Sequence, residues 1–210
     1  MAGPLPQDTL QWFQRGAPAP SLKPAPRTDR YLLVPGVTGL GVKLREGRFE
    51  VKRRDADFGL TALASRTTGR LAVWRKWSFQ VSSGVVTVDE NWISISKERY
   101  LRKFTVQGSA SIAEVDPSTY PECGCCVELT RLRAGHDDWE ADWWSVGLEA
   151  LGPDPSQLRT ELQVVAAHFF EREDSPSLRV EDSLDYPEWL TSFATESRPV
   201  TRRSAPPAAR

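Results

Sequence analysis

Between Thr28 and Gly152 the chain alternates apolar and polar residues in short runs, the period-two pattern of β-strands. Tyr31-Leu-Leu-Val34 stops at the turn pair Pro35-Gly36. Val42-Lys-Leu-Arg45, the turn Glu46-Gly47 and Arg48-Phe-Glu-Val-Lys52 read as a hairpin with alternation on both arms. Leu71–Val81 is a further strand, rich in Val, Trp and Phe, and Trp92–Val106 is a long alternating stretch that has room for two strands and a tight turn. Val127–Arg133 and Trp143–Leu151 complete the set, joined by an acidic turn over His136–Asp142.

The period then changes. Asp154-Pro155-Ser-Gln157 supplies an N-cap, a proline at the first helical position and a Gln three residues on. Leu158, Leu162, Val165 and Phe169 follow at spacings of four, three and four, one apolar stripe of a helix lying against the sheet. Tyr186-Pro-Glu-Trp-Leu190 packs back onto the body, and Leu10–Gln14 predicts one short helical turn docking its aromatics there. These elements define a mainly β (α+β) fold, an antiparallel barrel of about eight strands with a C-terminal helix. The prolines before Arg27 and after Arg198 divide the chain into a tail at 1–27, the barrel at 28–192 and a second tail at 193–210.

Composition narrows the function. The 210 residues are 40% hydrophobic and include 8 Trp and 8 Phe, ample for a real core, so a disordered chain is excluded. No run reaches the roughly 18 apolar residues of a membrane span, and the first residues lack a charged-then-apolar leader, which predicts a soluble, cytoplasmic chain. A net charge of -1 gives no overall attraction to nucleic acid or anionic lipid. Trp74-Arg-Lys-Trp77 mixes bases and aromatics, but no RNP-type motif accompanies it and nucleic acid is not the expected partner. Cys123, Cys125 and Cys126 form an odd, clumped set that fits buried thiols better than a disulfide framework or a zinc site. There is no G-x-S-x-G, Walker A or dinucleotide fingerprint. His168, ending the predicted helix, reads as a cation at a helix C-terminus.

The charged positions of the strands carry the remaining signal. Lys43 and Arg45, then Glu50, Lys52 and Arg54, Arg75 or Lys76, Lys97 and Arg99, and Arg131 and Arg133 recur in register, with Val42, Leu44, Phe49, Val51, Ile93 and Ile95 expected on the opposite faces. Two readings stay open. Outside a sheet such charges make a solvated coat. Inside a closed one they line a tunnel suited to a polyanion.

Val42-Lys-Leu-Arg45 with Phe49-Glu-Val-Lys52 resembles the "L-R-x-R … L-T-x-K" hairpin of the CYTH or triphosphate tunnel metalloenzyme superfamily. Val127-Glu-Leu-Thr-Arg131 and Ser145-Val-Gly-Leu-Glu149 resemble its late strand pair. The resemblance implies a tunnel binding a triphosphate, a polyphosphate or another phosphorylated small molecule with Mg²⁺ or Mn²⁺, and metal-dependent phosphoanhydride hydrolysis. By position, Lys43, Arg45, Lys52, Lys97, Arg99 and Arg131 would hold phosphate, and Glu128 and Glu149 the metal. The family's opening E-x-E-x-K is replaced here by Thr28-Asp-Arg-Tyr-Leu, which removes carboxylates from the implied metal site. The alternative is a non-catalytic binding or protein-interaction module on the same barrel, with Glu128 and Glu149 as ordinary paired carboxylates.

Overall fold

The computed structural model describes residues 1–18, 24–82, 86–107, 111–136 and 139–197. Its elements run α1 (Gln7–Gln14), β1 (Ala25–Leu32), β2 (Leu40–Arg45), β3 (Arg48–Ala64), β4 (Thr67–Gln80), β5 (Trp92–Gln107), β6 (Ser111–Val115), β7 (Gly124–His136), β8 (Trp139–Leu151), α2 (Pro155–Phe170) and α3 (Tyr186–Ser197). The eight strands form one antiparallel sheet in the order β4-β3-β2-β1-β5-β7-β8, with β6 beside the far half of β5. The sheet curls into a half-barrel: Lys52 of β3 reaches Glu149 of β8 at 3.4 Å, although four strands separate theirs in the sheet order.

Most elements follow the sequence pattern. Asp154 caps α2 by accepting from the Ser156 N–H, with Pro155 in the first turn. Glu46 and Gly47 both take positive φ, the conformation a two-residue hairpin turn needs. Three expectations change. Residues 92–107 form one continuous strand, because β5 pairs along its length with β1, β6 and β7 in turn. The β2–β3 hairpin is only the start of β3, which continues through three register shifts to Ala64 and pairs with β4 throughout. The tail expected at 1–27 is shorter, because the docking expected of Leu10–Gln14 holds its first fifteen residues on the body: Trp12 and Phe13 are 1% and 0% exposed, and the Trp12 indole Nε1–H donates to the Phe169 carbonyl at 3.2 Å. The C-terminal tail beyond Ser197 lies outside the described residues.

Residues directly opposite one another in an antiparallel ladder share a face, so the register sorts the sheet into two sides. On the outer side Tyr100, Phe104, Val127, Leu129 and Trp144 meet α1 and α2 in the main core. On the inner side Ile93, Ile95, Leu132 and Ala134 meet Leu190 and Phe193 of α3 in a second core. The helix thereby fills one end of the half-barrel, where Tyr186 stacks on Tyr31 with ring centres 5.3 Å apart. Burying an aromatic or branched side chain contributes roughly 1.5–3 kcal/mol, so this second core is a substantial anchor for α3. No helix of the described residues is long and apolar enough to cross a membrane.

Candidate anion site on the inner face

The rest of the inner face is ionic. Tyr31 of β1 lies opposite Lys43 of β2, Lys43 opposite Glu50 of β3, and Glu50 opposite Ser78 of β4. In the other direction Arg27 lies opposite Lys97 and Asp29 opposite Ile95 on β5. Strand alternation therefore places Arg27, Asp29, Lys43, Arg45, Glu50, Lys76, Lys97 and Arg99 on one side, across five neighbouring strands.

Two carboxylates organise these cations. Asp29, with no exposed side-chain surface, has Lys97 at 3.3 Å, Lys43 at 3.5 Å and Arg27 at 3.5 Å. Glu50, 2% exposed, has Lys76 at 3.0 Å, Lys43 at 3.1 Å and Arg45 at 3.3 Å. Five cations (Arg27, Lys43, Arg45, Lys76, Lys97) thus face two anions, a formal excess of +3 while Lys97 holds its proton, in a chain whose net charge is -1.

The titration behaviour follows from crowding and burial. Burial alone would raise the Asp29 carboxyl, but Lys97, Lys43 and Arg27 together hold it below its ordinary range. Burial also opposes Glu50, and hydrogen bonds from Lys76 and Lys43 overcome it and bring Glu50 to about 2. Lys97 goes the other way. Burial lowers it, Asp29 resists, and repulsion from Lys43 and Arg27 adds to the fall, leaving it at about 7. Its ammonium donates to the Tyr31 hydroxyl at 2.7 Å and sits 4.0 Å from the centre of the Tyr186 ring. Burial pushes both tyrosines well above their usual value.

Not every polar atom here has a partner. The Arg27 Nε–H, the Arg45 Nε–H and the Tyr186 hydroxyl are buried without hydrogen bonds among the described residues. Buried donors of this kind are normally met by water or by a ligand.

Of the residues singled out from sequence, Lys43, Arg45 and Lys97 belong to this cluster. Lys52 is on the same face but nearer the rim, 40% exposed and paired with Glu149. Arg99 is beside the cluster, bound to Glu128 at 2.5 Å. Arg131 is not part of it. It lies opposite Glu98 and Trp144 on the outer side and pairs with Glu98 at 3.4 Å. The reason is parity, since Arg131 stands three residues from Glu128 and a regular strand turns them to opposite faces. The same rule corrects Ile93 and Ile95, which share the inner face with Lys97 and pack against α3. Arg27, Asp29, Tyr31 and Tyr186 were not anticipated as site residues, and Lys76 was expected only as the alternative to Arg75, a choice that its place opposite Lys52 decides. Arg27, Asp29 and Tyr31 repeat at period two in β1, which was the available signal.

The implied metal ligands Glu128 and Glu149 both already have partners. Glu128 accepts from Arg99 and from the Thr130 hydroxyl at 2.7 Å, and Glu149 is 65% exposed beside Lys52. Among the described residues no three His, Cys, Asp or Glu gather as a metal ion would require. With each carboxylate of the face engaged by cations, this set does not fit a hard divalent ion, which takes several oxygen ligands. The cysteines are free thiols, and burial raises Cys125 far above its usual value, which makes it inert.

No family model, curated protein or solved structure matches the chain.

Proposed function

We propose that the inner face of the half-barrel is a receptor for an elongated phosphate anion of the triphosphate or short-polyphosphate class. The observation that carries this reading is the excess of five cations over two carboxylates, with buried Arg27 and Arg45 donors left open. Charge-assisted bonds from guanidinium and ammonium groups are strong where water is scarce, and a row crossing five strands suits a linear anion better than a single phosphate. Asp29 and Glu50 hold the cations apart and in place when no anion is bound, so their role is to organise the receptor.

This reading is binding first, and hydrolysis is a further step that the same experiment examines. Thermal unfolding is followed with tripolyphosphate, orthophosphate or sulfate, each with and without Mg²⁺ or Mn²⁺, while released orthophosphate is measured. Stabilisation by tripolyphosphate well beyond sulfate at equal ionic strength, without release, is the expected result. Metal-dependent release abolished in Glu149→Gln would make the protein a hydrolase. A melting temperature indifferent to every anion would sink the receptor reading.

A further inference from the structure

The inner receptor leaves one long feature of the fold unused, the free edge formed by β4. The Val81 N–H donates to the Gly47 carbonyl, so odd-numbered residues of the strand direct their backbone groups towards β3. Even-numbered residues direct theirs away. The Arg70 N–H on that outward side is taken by the Ser183 hydroxyl at 2.7 Å, but beyond it the outward N–H groups of Trp74, Lys76 and Ser78 have no hydrogen bond among the described residues.

Edges are usually blunted by bulges, prolines or a covering segment. The opposite edge follows that rule: Met1–Gly3 lie along β8, with Gly3 donating to the Asp142 carbonyl and Trp144 to that of Met1. No such cover lies over Trp74–Gln80 among the described residues, β4 has no proline, and the register shifts of the pair fall on β3. The outer side of β4 is apolar and exposed besides, with Val73 at 40%, Trp77 at 39% and Phe79 at 53%.

Charge selects the occupant. β4 carries Arg70, Arg75 and Lys76 and no acidic residue. Arg75 shares the single Asp55 carboxylate with Arg53, and Lys76 shares Glu50 with two other cations, so positive charge is left over. A second β4 paired edge to edge would set like charges together, and the chain's own residues 198–210 contain four arginines and no acid. We propose that β4 is a docking edge for an extended, acidic segment of a partner protein, which adds a strand to the sheet with apolar side chains against Trp77 and Phe79 and carboxylates beside Arg75 and Lys76. Main-chain bonds would supply affinity, and the alternating side chains would supply selectivity.

The test uses the full chain and a fluorescent nine-residue peptide alternating Val and Asp, with a Val/Lys peptide as control. Ser78→Pro removes one outward N–H without touching the bonds to β3, and Arg75→Glu reverses one charge. The expected result is binding of the acidic peptide alone, at least tenfold weaker in each variant, with thermal unfolding showing both variants folded. Should Ser78→Pro unfold, the Arg75→Glu comparison decides by itself. Equal binding of both peptides, no binding, unchanged binding in Arg75→Glu, or a concentration-dependent dimer of the unliganded chain that Arg75→Glu strengthens would each overturn the proposal.

Discussion

The ammonium of Lys97 stands 3.3 Å from the carboxylate of Asp29, and the two side chains are 2% and 0% exposed. A pair this deep is held by mutual need, because either charge alone would face a large desolvation penalty. Asp29→Asn keeps the shape and removes the anion, leaving Lys97, Lys43 and Arg27 to repel one another. Loss of about 3–5 kcal/mol in urea unfolding is expected, the range for breaking a buried ion pair. Tripolyphosphate should stabilise this variant more than the parent, since the uncompensated cations then find their counter-charge in the ligand.

Stability should depend on pH at both ends, with signs set by the cluster. Unfolded, Lys97 keeps its proton to about 10.5, whereas folded it releases it near 7. Across that window the unfolded chain binds more protons, so this group makes stability rise with pH. Lys43 shifts in the same direction, and above about pH 10 the raised tyrosines begin to oppose both. On the acid side Glu50 falls from 4.5 to about 2, and its contribution is present above 4.5 and lost as pH drops towards 2. Urea midpoints from pH 2 to 10 check this, and Lys97→Met should flatten the rise that begins near 7.

Face, not charge alone, should decide which arginines matter for the anion. Arg45→Ala is expected to weaken tripolyphosphate binding about tenfold, the worth of one charged hydrogen bond. Arg131→Ala, on the outer side beside Glu98, should leave it within about twofold. Isothermal titration of the two variants against the parent separates the cases, and equal losses would contradict the assignment of faces.

The buried Arg102 should prove a clip for the N-terminal helix. Its guanidinium donates to the Phe13 carbonyl at 2.8 Å and the Arg15 carbonyl at 3.2 Å, and holds Glu114 at 2.5 Å. Arg102→Leu leaves Glu114 without its cation and the end of α1 without its donors, a loss of about 3 kcal/mol. Limited trypsin digestion should show faster cleavage after Arg15 in the variant.

Gly124 marks where β7 begins, with φ of 153°. A Cβ there would stand 2.0 Å from the Phe104 carbonyl oxygen, a backbone atom of β5 that has no freedom to retreat. Gly124→Ala should therefore cost more than about 2 kcal/mol, through strain and a broken strand start. An unchanged thermal midpoint would contradict this account.

Much of the fold was legible because alternation and caps are local. The β2–β3 turn, α2 with its Asp154 cap and the docking of Trp12 all follow from neighbours in sequence. What was not legible depended on register. Whether Arg75 or Lys76 faced inward is settled only by the pairing of Lys52 with Lys76, two strands whose alignment no local signal states. Asp29 reads as a substituted family position in sequence, and becomes the centre of the cluster only because β1 lies between β2 and β5. The second half of β3 was hidden by its register shifts, which break the period that strand reading relies on.

The bond from Trp12 to the Phe169 carbonyl spans 157 positions of the chain. During synthesis at roughly 5–20 residues per second, Trp12 and Phe13 therefore wait about 8 to 30 seconds for the helix that covers them. For that interval the two large aromatic rings lack the native partners that later bury them.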